Sequence, residues 1–232
     1  MLIFLIKLFS AILPVVVLMW LLYRKSKGAS ITKKQKKWGF AWGAFSVILI
    51  VICIGPLHLD ETFFNVLLLS ALPEEFIKMV VMLILIKKYK YKSELDIILL
   101  CGSVGLGFAC LENIAYIIPK AEWISVAIAR AIVSIPDHFV YAIIMGYFIS
   151  KALYFLKNGK AKFINYILAF MIPVFMHWIS NYAKCDFIND TVVKDLILLF
   201  GYAVPTVLII FAFKYINRVK ENTIISDAAK NL

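Results

Sequence analysis

Long apolar runs, broken by short polar connections, dominate the chain. About 20 apolar residues make one helical crossing of a bilayer. Seven runs reach that length: Leu2–Tyr23, Gly39–Leu59, Thr62–Ile86, Ile97–Ile118, Trp123–Phe155, Phe163–Tyr182 and Val192–Phe213. The fifth is long enough to continue past the membrane on one side. This pattern predicts an all-α integral membrane protein, a bundle of about seven transmembrane helices. Residues 1–220 read as one polytopic domain and 221–232 as a flexible tail. The first run is expected to stay as a helix rather than act as a cleaved signal, because Lys7 interrupts it and a basic stretch follows rather than precedes it.

Composition agrees. Of the 232 residues, 63% are hydrophobic and the mean hydropathy is +0.90. Soluble domains run closer to half apolar. The cysteines, Cys53, Cys101, Cys110 and Cys185, have neither zinc-finger nor disulfide-framework spacing.

Charge in the connections sets an expected orientation. "RKSKGASITKKQKKW" carries seven Lys/Arg, "KKYKYKSELD" four, 151–162 four, and the segment after Phe213 four. The alternate connections, "PLHLDET", "PKAE" and "AKCDFINDTVV", are nearly free of them. By the positive-inside rule the basic side is cytoplasmic, with the N-terminus outside and the C-terminus in the cytoplasm. The net charge of +11 is then explained by membrane-proximal loops facing anionic lipid. A nucleic-acid partner is not implied, since the charge is spread over separate loops. The expected location is a bacterial cell membrane, with the lipid bilayer itself as a partner.

Against this background a few polar residues stand out. A charge at the centre of a membrane helix costs on the order of 2.5–3.5 kcal/mol, so it needs a reason. Lys7 is near a helix end, where it is expected to snorkel. Glu74, Glu75, Lys78, Glu112, Arg130, Asp137, His138 and His177 lie deeper, with Asn113 and Asn181 as neutral companions. At about 1.5 Å per residue, Glu74 lies about 18 Å into its run. Glu112 and His177 lie about 22 Å and 21 Å from the opposite end of theirs, and His138 sits mid-way along the fifth. Four runs thus place an acid or an imidazole in one slab, the mark of a shared polar cavity.

Spacing adds detail. Glu74 and Lys78 are i and i+4, and Glu75 is i+3 from the same lysine, so one carboxylate is neutralised and the other is left for chemistry. Sharing a face at i,i+4 favours Glu74 as the paired one. Pro73 and Pro136 loosen the backbone beside the charges. Gly102, Gly105 and Ala109 allow close helix approach near Glu112. Plainer readings exist for each: an ion pair joining helices for the Glu–Lys set, a structural pair for Arg130 and Asp137, interhelical hydrogen bonds for the histidines and Asn181. His58, beside Asp60 and Glu61, reads as a solvated loop residue.

Paired carboxylates and two imidazoles beside a wet pocket suit hydrolysis by activated water. A divalent metal such as Zn2+ fits equally well, with Glu112, His138 and His177 as candidate ligands. No H-E-x-x-H, no G-x-S-x-G and no Cys–His grouping is present.

Four motifs occur in order: "EEFIK" (Glu74–Lys78), "GFACLENIAY" (Gly107–Tyr116), "DHFVYAIIMG" (Asp137–Gly146) and "HWISN" (His177–Asn181). Together they resemble the PrsW-type intramembrane proteases, relatives of the type II CAAX prenyl endopeptidase and bacteriocin-processing superfamily. The resemblance covers roughly residues 67–181. It implies a membrane-embedded endopeptidase acting on a single-span membrane protein, some members making the first cut in a membrane-anchored anti-sigma factor. It also implies catalytic roles for Glu74, Glu75, Glu112, His138 and His177, with Lys78, Asn113 and Asn181 in support. Glu74 and Glu75 match the essential pair, and His177 with Asn181 matches an oxyanion-binding pair. By the CAAX analogy Glu74 is the base, and Glu112 stands where those enzymes carry a histidine. The competing expectations are a proton- or metal-coupled transporter, and a bacteriocin-processing or immunity protease. Transporters commonly show inverted repeats, and none is visible here.

Overall fold

The computed structural model describes residues 1–26, 28–57, 63–91, 93–182, 203–204 and 207–222. The expected loop around His58, the connection holding Cys185, the start of the run at Val192–Phe213 and most of the 221–232 tail lie outside the described residues. Among the described residues every regular element is helical.

Five helices are long and apolar enough to cross a membrane: Leu2–Arg24 (α1), Lys33–Cys53 (α2), Glu94–Ile117 (α5), the composite run Trp123–Phe155, and Gly159–Tyr182 (α8). The run expected at Thr62–Ile86 is also helical, as Phe63–Val66 (α3), a π-helical turn Leu67–Ala71 (π1) and Leu72–Tyr89 (α4). Its charges, Glu74, Glu75 and Lys78, set it apart from the five. Trp123–Phe155 is likewise built in pieces: Trp123–Ala129 (α6), the π turn Arg130–Ser134 (π2), Ile135–Ser150 (α7) and the π turn Lys151–Phe155 (π3). A helical stretch also occupies 207–222.

The first two π turns have one cause. Pro73 and Pro136 stand at the starts of α4 and α7, directly after π1 and π2. A proline has no N–H and its ring collides with the carbonyl four residues back. A wide turn just before it relieves that collision, and such turns concentrate at functional sites.

α5 is the axis of the bundle. Its middle is almost wholly apolar, and every residue from Leu95 to Cys110 is buried, as expected for a helix surrounded by neighbours on all sides. Glycines set how closely its neighbours approach. A Cβ added at Gly43 of α2 would stand 2.0 Å from the Val104 carbonyl oxygen, and one at Gly107 of α5 2.0 Å from that of Phe40. On the other side of α5, a Cβ at Gly105 would meet the Ala142 Cβ at 2.5 Å and the His138 carbonyl oxygen at 2.6 Å. Small residues are what allow membrane helices to pack this tightly. Gly105→Val is therefore expected to push α7 outward, at an overpacking cost of about 1–3 kcal/mol. Thermal unfolding in detergent should shift to lower temperature, and His138, which sits on α7, is expected to move with that helix.

Polar clips fix both ends. Lys7 does not snorkel as expected. Its Nζ donates to the Ile118 and Lys120 carbonyls at 3.0 and 2.7 Å. Those carbonyls end α5 and begin the next connection, where a cation satisfies orphan acceptors and meets the negative end of the helix dipole. At the opposite end the Ile31 N–H donates to Asp96 Oδ1 at 2.8 Å, tying the basic α1–α2 connection to the start of α5.

Candidate active site

The site is organised from α4. Glu75 is fully buried and Lys78 is 1% exposed. Lys78 Nζ lies 2.6 Å from Glu75 Oε1, 3.0 Å from His138 Nδ1 and 4.3 Å from the centre of the Phe108 ring. The expected i,i+4 pairing with Glu74 is thus replaced by the i,i+3 pairing with Glu75. The neighbouring helix decides this, because His177 Nδ1 from α8 also meets Glu75 Oε1, at 2.7 Å. Glu75 is therefore held from two sides.

A lysine ammonium only donates, so His138 Nδ1 accepts from Lys78 and its Nε2–H faces Glu112 Oε2, 2.8 Å away. Glu112 in turn receives Arg130 Nη2 at 2.5 Å. Arg130 Nε donates to Asn113 Oδ1 at 2.7 Å, its guanidinium lies 4.2 Å over the Tyr116 ring, and Asn113 Nδ2 donates to the Ala11 carbonyl of α1 at 2.8 Å. The structural pair expected between Arg130 and Asp137 does not form. Asp137 Oδ2 instead accepts from Ser180 Oγ at 2.6 Å. The π2 turn between them puts an extra residue into the helix, so the two side chains face different neighbours, α5 and α8.

On α8, the Nδ1–H of His177 donates to Glu75, which leaves Nε2 to accept from Asn181 Nδ2 at 3.0 Å. Asn181 Nδ2 also donates to Ser70 Oγ at 2.8 Å, and Ser70 Oγ donates to Glu74 Oε1 at 2.9 Å. Glu74 Oε2, by contrast, is buried with no hydrogen-bond partner. It lies 3.8 Å from His177 Nε2, too far for a hydrogen bond. Glu75 Oε2 is also unpartnered, but Glu75 is sealed whereas Glu74 retains 8% exposure.

All eight residues expected from the sequence thus meet in one network. Glu74, Glu75 and Lys78 come from α4, Glu112 and Asn113 from α5, His138 from α7, and His177 and Asn181 from α8. Two members escaped sequence reasoning as site residues, Ser70 and Arg130. Ser70 had a signal, a hydroxyl four residues before Glu74 on a predicted helix.

The metal-ligand geometry differs from the expected trio. The ligand atoms that converge, within 4.8 Å of one another, belong to Glu74, His138 and His177. Glu112 is committed to Arg130 and His138.

The family described as PrsW family intramembrane metalloprotease matches residues 35–213. The chain belongs to this family. Among curated proteins it is similar to the protease PrsW of Oceanobacillus iheyensis, with 33% identity over 168 residues, covering 72% of this chain and 73% of that protein. It is 30% identical to the protease PrsW of Halalkalibacterium halodurans over 174 residues, 72% of this chain and 78% of that protein. The Bacillus subtilis protease PrsW is 31% identical over 117 residues, 50% of this chain and 52% of that one. No solved structure gives a significant match. The protein is therefore a peptidase of a multi-pass bacterial membrane family, and the buried Glu/His network lies inside the matched region.

The family description raises the question of a metal, and the donor set answers it. Two imidazoles and one carboxylate are a common catalytic zinc set, with a position left for water. Glu74 Oε2 is an unpartnered buried oxygen. Each imidazole is backed by its own carboxylate, His177 by Glu75 and His138 by Glu112, the outer support that ligating histidines usually have. Loading would require His138 to release one of its two present partners.

Proposed function

We propose that this protein is a membrane-embedded endopeptidase that hydrolyses a peptide bond of a single-span membrane protein with activated water. The observation that carries the reading is the contrast between the two glutamates. Glu75 Oε1 is bonded to Lys78 and His177, while Glu74 is held by Ser70 through one oxygen and presents the other. Glu74 is then the carboxylate against which the water lies, and Glu75 is the anchor that fixes Lys78 and His177.

Were a divalent metal held by Glu74, His138 and His177, the free Glu74 oxygen would ligate it, and the metal rather than the carboxylate would acidify the water and polarise the scissile carbonyl. The protein's own groups do the rest. Glu75 keeps His177 in the Nδ1–H tautomer, so that Nε2 faces the reacting region. Asn181, with its amide beside that nitrogen, is positioned to donate to the developing oxyanion. Arg130 neutralises Glu112, and Glu112 orients His138. The dry shell around the network, including Phe108 and Tyr141, keeps these charges from being screened by water.

The substrate is proposed to be a membrane-anchored anti-sigma factor, cut near the membrane on its extracytoplasmic side. This follows the behaviour of some family members and the orientation implied by the basic loops. The test is cleavage of a model single-span substrate by the purified protein in liposomes, before and after chelation. Activity should vanish on chelation and return with Zn2+. Metal content should fall in His177→Ala and Glu74→Gln but persist in Lys78→Arg. Full activity in the chelated, metal-free protein would overturn the ligand assignment while leaving water activation at Glu74 standing. No cleavage of any single-span substrate, with solute uptake instead, would return the transporter reading.

A further inference from the structure

Where α4 ends, a cavity of about 470 Å3 opens between α4, π3 and α8. It lies at the end of the bundle that carries the basic connections "KKYKYK" and 151–162, away from Glu74 and His177. It does not depend on the chemistry proposed above.

Three observations mark it. Lys87 and Lys90 line the cavity and are exposed, and among the described residues neither forms an ion pair with a carboxylate. Lys90 also holds a left-handed backbone, φ 52° and ψ 47°, as the cap of α4. Glycine is the usual residue there because a Cβ strains that conformation. Among the described residues it is the single non-glycine with positive φ, and such strain persists where the side chain has a use. Finally, Tyr91, in the cavity wall and only 9% exposed, has a buried hydroxyl with no hydrogen-bond partner. Its backbone carbonyl is meanwhile fastened by the Tyr154 hydroxyl, so the wall is fixed rather than loose.

We propose that this pocket binds an anionic phospholipid, its phosphodiester against Lys87 and Lys90 and an acyl chain along Ile86 and Leu153. The lining combines two lysines with three aliphatic residues and three tyrosines, which is the polarity profile of a lipid at the membrane–water boundary. Basic pockets between membrane helices select anionic headgroups in this way. A soluble phosphate would have no use for the aliphatic wall of Leu83, Ile86 and Leu153.

Native mass spectrometry of the full-length protein, titrated with phosphatidylglycerol or with phosphatidylcholine of the same chains, reads the site. Phosphatidylglycerol is expected to bind preferentially. Each lysine near an anionic headgroup is worth roughly fivefold, so Lys87→Gln should lose about fivefold and Lys87→Gln with Lys90→Gly about 25-fold. Lys90→Gly separates binding from folding, because it relieves the left-handed strain. Its lipid-free melting temperature should hold or rise while its affinity falls. Lys33→Gln with Lys34→Gln removes equal charge elsewhere on the basic side and should leave affinity within about twofold. Wild-type affinity in the double cavity variant, equal binding of phosphatidylcholine, or displacement of the lipid by millimolar inorganic phosphate would each overturn the proposal.

Discussion

Glu74→Gln is expected to abolish cleavage while leaving the fold intact. The carboxylate makes one hydrogen bond, from Ser70, and glutamine keeps a carbonyl oxygen to accept it. The substitution removes a buried charge rather than stranding one, so the melting temperature should stay level or rise. Activity is another matter. Loss of a positioned proton acceptor typically costs about 10²–10⁴-fold, and loss of a metal ligand costs more. Steady-state cleavage and thermal unfolding, measured on one preparation, should therefore separate cleanly. If Glu74→Gln kept a tenth or more of wild-type activity, Glu74 would not be the reactive carboxylate.

The neighbouring residue should behave in the opposite way. Glu75→Ala leaves the Lys78 ammonium, 1% exposed, without its carboxylate, and frees His177 Nδ1 from its anchor. Breaking a buried ion pair from one side costs about 3–5 kcal/mol, so unfolding as well as activity should suffer. Replacing both partners, Glu75→Leu with Lys78→Met, should recover most of the lost stability, since apolar substitutes for a buried pair are often neutral or better. It should not recover activity. A double variant as unstable as Glu75→Ala alone would show that the Glu75–Lys78 contact is not what the single change breaks. Two adjacent glutamates would then be told apart by which property each one damages.

Much of this was legible in the sequence. Charges in greasy runs are rare enough that their depth alone placed Glu74, Glu112, His138 and His177 in one slab, and the structure joins them. What was not legible came from neighbours and from helix pitch. Glu74 and Glu75 lie almost symmetrically about Lys78 on an ideal helix, and only His177, about a hundred residues later, breaks the tie. Arg130 and Asp137 look like a pair at i,i+7 until the π2 turn is known. That turn rotates one against the other, giving Arg130 to Glu112 and Asp137 to Ser180. Likewise, nothing local says that Lys7 will end up capping a helix more than a hundred residues away. The topology expected from basic loops rests on the sequence.

The composite third run has a consequence for how this protein is made. When Phe63–Tyr89 leaves the ribosome, the partners of its charges from α5, α7 and α8 do not yet exist. Lys78 and Glu75 share the helix and can neutralise each other at once. Ser70 can cover one oxygen of Glu74. His138, His177 and Asn181 arrive only with later helices. Until then this segment is the weakest candidate for lodging in lipid, and its settled place is tied to the arrival of α8. The site is complete only when α4, α5, α7 and α8 are all in place, so a chain that stops short of α8 carries a charged segment without all its partners.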